Sequence, residues 1–363
     1  MRILIVKLSA IGDIVHTLPA LAVIRQGLPE AEIDWVVETS AAEILRGNPL
    51  IANLIEINTK DLRQRKTARG ILAGLRQHSE LIRSRNYDAA IDFQGLIKSA
   101  LITRLSGAPL CFGFSRENLR EPAAAIFYNH RINTGNQINI IESNIRLAAE
   151  AFRLDIPADI EFPIFPDNSH LSEAEDIAAA AGGHFAILNP GGGWPTKIWD
   201  AGRFGRLADL IFERLQLRSV LTYGPGEENL AKQAAEACSS GSMLTVSPGL
   251  RALYSLCRKA EIFIGGDTGP THIAVAAGTP VVGIFGPTDW IRNGSPFAED
   301  VVVERNDIDC RENCYRRSCG EWICMDIDVE TVFSAVKRRL QAKENFRTRV
   351  INANAEAQAR SRN

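Results

Sequence analysis

The sequence predicts an α/β protein with two domains, each built on a parallel sheet. The chain has 363 residues, which is more than one typical compact core accommodates. In both halves, short apolar runs of β type alternate with amphipathic helical patterns, an alternation typical of parallel sheets covered by helices. Between the halves, residues 155–170 contain three prolines and little periodicity, which indicates a linker.

Each predicted strand is a short apolar run that leads into a turn. The first half has strands predicted at Ile3 to Val6, Ile33 to Val37, Asn53 to Ile57 and Tyr87 to Phe93. The second half has them at Phe185 to Leu188, Ser219 to Tyr223, Ile262 to Ile264 and Val281 to Phe285. Helical patterns cover 200–217, 227–238 and 331–344. We therefore predict domains at 1–160 and 161–330, followed by a C-terminal helix and polar tail at 331–363.

Composition and charge exclude several classes of function. The formal net charge is −2 and no nucleic-acid-binding motif is present, so a nucleic-acid partner is not expected. The apolar run at the amino terminus stops at Lys7, too early for a signal peptide. No run reaches the roughly 18 apolar residues of a membrane span. We therefore expect a cytoplasmic protein.

A glycine-flanked segment in the second half has the features of an anion site. Gly265-Gly266-Asp267-Thr268-Gly269-Pro270 follows a predicted strand, and the next residues are helical. Thr268 or Asp267 suits the helix cap, and Pro270 suits the first helical position. The free N–H groups and the dipole of a helix amino terminus attract phosphate, and His272 lies in the first turn. A plain capped helix with a surface histidine is the alternative.

Two further loops follow strands and carry phosphate-compatible chemistry. Gly192 and Gly193 offer backbone amides, and Lys197 offers a positive charge for a diphosphate. Glu227 follows Gly224-Pro225-Gly226, where a carboxylate can accept ribose hydroxyls; a helix-N-terminal acid is the alternative. Neither the P-loop pattern nor the dinucleotide-binding Gly-x-Gly-x-x-Gly pattern is present, which argues against an NTPase and a dehydrogenase.

Asp13 is the candidate general base of the first half. It lies in a glycine-bearing loop after the first strand, where ligands of open α/β sheets bind. A carboxylate there can take a proton from an attacking hydroxyl. An N-cap aspartate is the alternative, although Pro19 favours a helix that begins at Thr17 rather than at Asp13. His16 is either a second polar contact or a helix-surface histidine.

Two stretches are locally basic in this nearly neutral chain. Residues 60–85 hold Lys60, Arg63, Arg65, Lys66, Arg69, Arg76, Arg83 and Arg85, and Arg116 and Arg120 lie further on. This excess predicts an acidic partner, such as a phosphorylated lipid headgroup or an acidic sugar, with a solvated helix face as the alternative. The final helix carries Lys337, Arg338, Arg339 and Lys343, which either contact an anionic membrane surface or are solvated.

Four of the seven cysteines are clustered near the end of the second half. They are Cys310, Cys314, Cys319 and Cys324. Their number suits zinc, but the spacings differ from the closely spaced pairs of most zinc sites. We therefore predict a compact loop with buried thiols and no bound metal.

Several motifs together resemble the lipopolysaccharide heptosyltransferases. The motifs that carry the resemblance are Met1 to Lys7 with Gly12-Asp13 and His16 to Leu21, Lys197 to Trp199, Gly266 to His272 with Gly278 to Pro280, and Cys319 to Met325. The resemblance extends over nearly the whole chain, up to about residue 340. It implies the GT-B fold, in which two Rossmann-like domains with parallel sheets face a central cleft.

The resemblance also implies a reaction. It is the inverting, metal-independent transfer of heptose from ADP-L-glycero-D-manno-heptose to the Kdo of Kdo-lipid A in the lipopolysaccharide inner core. No cofactor is expected, because ADP-heptose is a substrate. The implied partners are the nucleotide-sugar donor and an acidic glycolipid acceptor, with peripheral contact at the inner face of the inner membrane.

The resemblance assigns roles to residues at matching positions. Asp13 is expected to be the general base, and Lys197 is expected to stabilise the leaving diphosphate. It assigns donor binding to Lys197, Glu227, Asp267, Thr268, Gly269 and His272, and positioning of the acidic acceptor to Lys7. Beyond the resemblance, we predict donor contacts from Gly192 and Gly193 and acceptor contacts from Ser9, Arg63 and Arg120. One departure affects the donor: Gly192 and Gly193 stand where the heptosyltransferase I pattern has threonines, so backbone amides would replace hydroxyls.

Two other functions remain open on the sequence. One is a related transferase of the same fold, such as a heptosyltransferase II-like enzyme, that uses another acceptor or another nucleotide sugar. The other is a non-catalytic nucleotide-sugar-binding protein. Asp13 and the basic stretch argue against a pure binder, which needs neither.

Overall fold

The computed structural model describes residues 1–58, 80, 82–310, 314 and 316–343. Its backbone contacts divide the chain into two compact units, Met1–Phe165 and Pro166–Asn363. The division falls after residue 165, whereas the sequence analysis placed it after residue 160. The final helix, residues 329–343, contributes Val332, Phe333 and Val336 to the core of the second unit.

The first unit is built on a six-stranded parallel sheet. Its strands are β1 (Arg2–Val6), β2 (Glu32–Glu38), β3 (Asn53–Ile57), β4 (Ala89–Asp92), β5 (Leu110–Phe114) and β6 (His130–Ile132). Their order is β3-β2-β1-β4-β5-β6, and every neighbouring pair is parallel. Ile3 to Val6 are fully buried, as expected for a central strand covered on both faces.

Helices cover this sheet. They are α1 (Ile11–Val15), α2 (Leu18–Gly27), α3 (Ile97–Leu105) and α4 (Ile140–Phe152). Thr17 is the N-cap of α2, as predicted, with Pro19 in its first turn. A separate short helix, α1, precedes it and contains Asp13. Tight 3-10 turns lie at Thr39–Leu45, Arg116–Asn118 and Pro122–Phe127.

The second unit repeats the same plan. Its strands are β7 (Phe185–Asn189), β8 (Arg218–Thr222), β9 (Met243–Val246), β10 (Ile262–Gly266), β11 (Val281–Ile284) and β12 (Val301–Val303). Their parallel order is β12-β11-β10-β7-β8-β9, which is the order of the first unit when it is counted from β7. Its helices are α5 (Asn168–Ala180), α6 (Ala201–Leu215), α7 (Glu228–Ala237), α8 (Leu250–Cys257), α9 (Gly269–Ala276), α10 (Trp290–Asn293) and α11 (329–343).

The linker predicted at 155–170 is shorter than expected. Helix α5 begins at Asn168, where the Asp167 carboxylate accepts hydrogen bonds from the backbone N–H groups of Ser169 and His170. The predicted strands are all present, but β5, β6, β9 and β12 were missed. Two of these have three residues each, too few for an alternation of side chains to be recognised. No helix in the described part of the chain is both long enough and apolar enough to cross a membrane.

The strand order places a switch point in each sheet. In the first unit, β1 pairs with β2 on one side and with β4 on the other. In the second unit, β7 pairs with β8 and with β10 in the same way. Successive connections leave such a point in opposite directions, so the loops after its two strands diverge and leave room for a ligand. The loops after β1 and β4, and after β7 and β10, are therefore where binding residues are expected.

A packing contact beneath β4 gives a test of the first sheet. The Tyr128 ring lies on Gly113, where an added Cβ would be 2.4 Å from a ring carbon. The Tyr128 hydroxyl donates to the buried Asp92 carboxylate at 2.7 Å. Burial, followed by the Asp92 charge, raises the pKa of Tyr128.

We expect Gly113→Ala to displace this ring and to reduce the free energy of unfolding by about 1–3 kcal/mol. Urea denaturation followed by circular dichroism would measure the loss. Gly320→Ala is the matched control, because a Cβ there meets no described atom within 4 Å. Equal denaturation midpoints for the two variants would contradict the packing described here.

Candidate active site

The segment after β10 forms the predicted strand–turn–helix junction. Strand β10 ends at Gly266, Thr268 is the N-cap, and α9 begins at Gly269. Pro270 is thus the second helical residue, one position later than predicted. Thr271 donates a hydrogen bond from its hydroxyl to the Gly266 carbonyl at 2.5 Å and closes the turn. The amino terminus of α9 therefore lies at the carboxyl end of a central strand.

Asp267 brings Lys197 and His272 together, and we call these three residues the Asp267 cluster. Lys197 Nζ lies 2.6 Å from Asp267 Oδ2 and 3.3 Å from the Asp267 carbonyl oxygen. His272 Nε2 lies 3.2 Å from Asp267 Oδ1. The Asp267, His272 and Lys197 side chains are only 9%, 6% and 14% exposed. The alternative of a surface histidine at position 272 is therefore wrong.

The environment of Asp267 keeps it ionised. Burial alone would raise its pKa, but the hydrogen bond from His272 and the charges of His272 and Lys197 outweigh burial and hold the pKa well below its ordinary range. Lys197 Nζ also lies 4.3 Å from the centre of the Trp194 ring, a cation–π distance. The loop after β7 is thus attached to the end of β10 through one charged side chain.

Glycines make this close approach feasible. A Cβ at Gly266 would lie 3.0 Å from the Lys197 carbonyl oxygen. A Cβ at Gly265 would lie 2.9 Å from the Phe263 ring and 3.0 Å from the Thr271 hydroxyl. Larger residues at 265 and 266 would separate the two loops that the Asp267 cluster joins.

Glu227 joins the loops after β7 and β8. Its carboxylate accepts hydrogen bonds from the backbone N–H groups of Gly192 at 3.1 Å and Gly224 at 2.8 Å. A Cβ at Gly191 would lie 2.3 Å from the Glu227 carboxylate oxygens, so only glycine leaves room for it. Glu227 precedes α7 at the cap position but makes no capping bond from its side chain. Glu227 is therefore an acid at a helix terminus, but its carboxylate also joins two loops.

Asp13 lies in the short helix α1, and the loop between β1 and α1 is bonded to a neighbouring loop. Asp13 is the third residue of α1, and its Oδ2 accepts the Ala10 N–H at 2.9 Å, so it is not the N-cap. Gln94, in the loop after β4, accepts the backbone N–H groups of Leu8 and Ser9 through its Oε1 at 3.1 and 3.2 Å. The loop after β1 is thus attached to the loop after β4.

Lys7 takes part in the same attachment. Its side chain is buried, and Nζ donates to the Phe93 carbonyl at 2.9 Å. The buried Asp92 carboxylate in turn accepts the backbone N–H groups of Gln94 at 2.7 Å and Gly95 at 3.1 Å. The sequence analysis did not identify Gln94 as functional. Its only local signal was a position directly after a predicted strand.

No contact among the described residues brings the other basic residues predicted in the first unit to the loop after β1. Arg120 is exposed, between two 3-10 turns. Arg63 lies outside the described residues, as do Lys60, Arg65, Lys66, Arg69 and Arg76. Arg83 is exposed, and Arg85 lies 3.5 Å from the buried Asp34 carboxylate. His16 is buried, so it is not a helix-surface histidine.

The clustered cysteines contradict the predicted buried thiols. Cys310, Cys314 and Cys319 are exposed, and Cys324 is half-buried. All four line one cavity of about 280 Å³ in the second unit. Burial, followed by the charges of the Cys314 and Cys310 thiols, raises the pKa of Cys324. As they stand, no three His, Cys, Asp or Glu side chains of the described residues are arranged to hold a metal ion.

We expect Asp267→Asn to reduce the free energy of unfolding by about 1–3 kcal/mol, because a buried cation loses its charged partner. Because the pKa is depressed, the carboxylate's stabilising contribution is complete above the ordinary aspartate pKa of about 3.9, begins to fall below that value, and is lost as the pH drops through the lower pKa of the folded protein. We would measure the free energy of unfolding of the unsubstituted protein and of Asp267→Asn between pH 7 and pH 3. The difference between the two should decrease below about pH 4. Asp307→Asn, which breaks a solvent-screened pair with Arg305, is the control and should lose much less stability than Asp267→Asn. Equal losses in both variants would contradict the role given to burial.

Comparisons with known proteins identify the family of the chain. Residues 75–321 match the model of glycosyltransferase family 9 (heptosyltransferase). Lipopolysaccharide heptosyltransferase 1 of Escherichia coli K12 is 31% identical over 291 residues, which are 80% of this chain and 89% of that protein. The enzyme of the same name from Pseudomonas aeruginosa is 29% identical over 322 residues, 88% of this chain and 87% of that protein.

Solved structures show the same fold. E. coli heptosyltransferase WaaC with ADP superposes with a TM-score of 0.71 at 26% identity, over 94% of this chain and 99% of that one. E. coli heptosyltransferase II superposes with a TM-score of 0.72 at 18% identity, over 95% of this chain and all of that one, and so supports the fold alone. The chain therefore belongs to glycosyltransferase family 9, the heptosyltransferases, and has the GT-B fold.

Proposed function

We propose that this enzyme transfers heptose from ADP-L-glycero-D-manno-heptose to the Kdo of Kdo-lipid A, with inversion at the anomeric carbon and without a catalytic metal ion. The names of several relatives, lipopolysaccharide heptosyltransferase 1, support an acceptor in lipopolysaccharide. The donor is supported by WaaC, which was solved with ADP and with ADP-2-deoxy-2-fluoro heptose. The observation that carries the proposal is the Asp267 cluster beside the amino terminus of α9.

In this proposal the diphosphate of the donor binds at the Asp267 cluster. A lysine ammonium has three N–H donors, and two of those of Lys197 point to atoms of Asp267, which leaves one for a phosphate oxygen. The first N–H groups of a helix have no partner inside it, so those of Thr268 and Gly269 can donate hydrogen bonds to a second oxygen of the diphosphate. Fixed donors of this kind stabilise the negative charge that develops on the leaving ADP, as a divalent metal ion does in other enzymes.

The roles of the neighbouring donor residues become more specific. The Gly192 N–H is already bonded to Glu227, so we propose that Gly192 positions Glu227 while the exposed Gly193 offers its amide to the donor. Each carboxylate oxygen of Glu227 has a second lone pair, which allows it to accept a ribose hydroxyl as well. His272 is proposed to orient the Asp267 carboxylate and to contact the donor from the first turn of α9.

On the acceptor side, we propose that Asp13 removes the proton from the attacking hydroxyl of Kdo. A carboxylate offers about four lone-pair sites, and the Ala10 N–H takes one of them. Gln94 and Lys7 hold the loop that carries Asp13, and the buried charge of Lys7 beneath it favours an acidic acceptor. Ser9, Arg63 and Arg120 are proposed as further acceptor contacts.

A lipid acceptor implies work at a membrane surface, and we propose peripheral contact on the cytoplasmic face of the inner membrane. Lys337 and Arg338 are exposed on α11 and suit an anionic surface. Arg339 and Lys343 contribute less, because they pair with Asp300 at 2.8 Å and Glu261 at 2.7 Å.

Product analysis tests this function directly. The purified enzyme is incubated with ADP-heptose and Kdo-lipid A, with and without EDTA, and the products are examined by mass spectrometry and anomeric NMR. We expect one added heptose and inverted configuration, and the same initial rate when EDTA removes exchangeable divalent ions such as Mg²⁺ from the assay. Asp13→Asn should bind ADP normally, but its turnover rate should fall about 10²–10⁴-fold, because general-base catalysis contributes that factor.

Asp155→Asn, an exposed substitution in the same unit, is the control and should retain full turnover. Near-normal turnover of Asp13→Asn would remove the base assignment. A product formed only on an acceptor that already carries heptose would instead establish the heptosyltransferase II-like alternative. Binding of ADP-heptose with no product on either acceptor would establish a non-catalytic binding protein.

A further inference from the structure

Four thiols meet at one place in the second unit. Cys310, Cys314, Cys319 and Cys324 all line a single cavity of about 280 Å³, whose other walls include Thr196, Gly286 and Pro287. The described residues from 304 to 322 contain no helix or strand. Cys310, Cys314 and Cys319 therefore lie on irregular backbone, Cys324 lies in the 3-10 turn Ile323–Met325, and the proposed transfer reaction uses none of the four.

Packing does not account for these thiols. Cys111 and Cys257 are buried in the cores of their units, as structural cysteines usually are. Three members of the cluster are exposed instead, although free exposed thiols are prone to oxidation. An exposed set of four cysteines that converge on one cavity is better explained by a ligand that needs sulfur.

The local backbone favours thiolates. The Trp322 N–H donates to Cys319 Sγ at 3.3 Å, and donors of this kind stabilise and orient metal-bound thiolates. A Cβ at Gly286 would lie 3.1 Å from Cys324 Sγ, so glycine there admits the sulfur to the wall of the cavity. The successive cysteines are separated by three, four and four residues, which is not the paired spacing of most zinc sites, but all four side chains reach the same cavity.

We propose that Cys310, Cys314, Cys319 and Cys324 bind one tetrahedral, thiophilic divalent cation of the Zn²⁺ type. Four sulfur ligands select Zn²⁺, or iron in the same geometry, over Mg²⁺ and Ca²⁺, which require oxygen. The described thiols are not yet arranged around an ion, so binding would draw them inward to Zn–S distances of about 2.3 Å. Cys324 packs against the core, so this movement would fall on the three exposed thiols. A closed site of four sulfurs leaves no position for substrate, so the ion would be structural.

The ion would stabilise the wall behind Lys197. Thr196 Oγ1 donates to the Arg316 carbonyl at 2.6 Å, and Trp322 Nε1 donates to the Thr196 carbonyl at 2.9 Å. Arg317 lies over the Trp194 ring, 5.2 Å from its centre. The cysteine segment is therefore bonded to the loop that presents Lys197, and a metal ion that fixes the segment fixes that loop.

Metal analysis of the full chain, purified anaerobically without chelators, tests the proposal. We expect about one zinc or iron per chain by mass spectrometry, as one four-sulfur site requires. Replacement by Co²⁺ should produce sulfur-to-cobalt charge-transfer absorption, a readout that needs no variant. Cys314→Ser and Cys319→Ser should lose most of the metal and melt at a lower temperature. Cys238 is a half-buried cysteine of the same unit outside the cluster. Cys238→Ser should therefore retain the metal and the original melting temperature.

Circular dichroism would confirm that each variant is folded before its metal content is compared. Three results would overturn the proposal: absence of stoichiometric metal combined with no Zn²⁺ uptake in a chelator competition, recovery of the four cysteines as disulfides from the anaerobic preparation, or full metal content in Cys314→Ser and Cys319→Ser.

Discussion

The ion pair between Asp267 and Lys197 is the contact on which the donor site depends. It joins the end of β10 to the loop after β7, two neighbouring strands whose loops would otherwise diverge. Both charges are largely buried, so loss of either partner would leave the other desolvated and uncompensated. His272 adds a bond to the second carboxylate oxygen and ties α9 to the same point. One carboxylate therefore sets the positions of a lysine, a histidine and a helix amino terminus.

The first unit meets the same geometric requirement through hydrogen bonds to backbone groups. Its sheet has the same strand order, and Gln94 and Lys7 join the loops after β1 and β4. In both units a side chain from one loop holds the backbone or a side chain of the other. Binding residues on loops fixed in this way keep their geometry without help from the ligand, which is the condition for electrostatic stabilisation of a transition state.

Local chemistry made part of this predictable. The buried strands β1, β7 and β10 are apolar runs, and the turn at Asp267 to Pro270 carries a cap residue, a glycine and a proline in succession, as is typical of a helix start. Contacts between distant residues were not predictable in the same way. Gln94 meets Ser9 across 85 positions, and Glu227 meets Gly192 across 35, and nothing in either local sequence marks the partner. The exposure of the clustered cysteines likewise depends on how their segment folds back. The fold was thus largely readable, whereas the supporting contacts of the site required the structure.

Calorimetric titration with ADP and with adenosine tests most directly whether the Asp267 cluster presents Lys197 to a diphosphate. Lys197→Met should weaken ADP binding at least about tenfold, equivalent to about 1.4 kcal/mol, and leave adenosine binding unchanged. Lys232→Met, which removes an exposed lysine of α7, should change neither. Equal weakening of ADP and adenosine would show that the lysine only supports the loop, and unchanged ADP binding would show that the diphosphate is bound elsewhere. Either result would contradict the account.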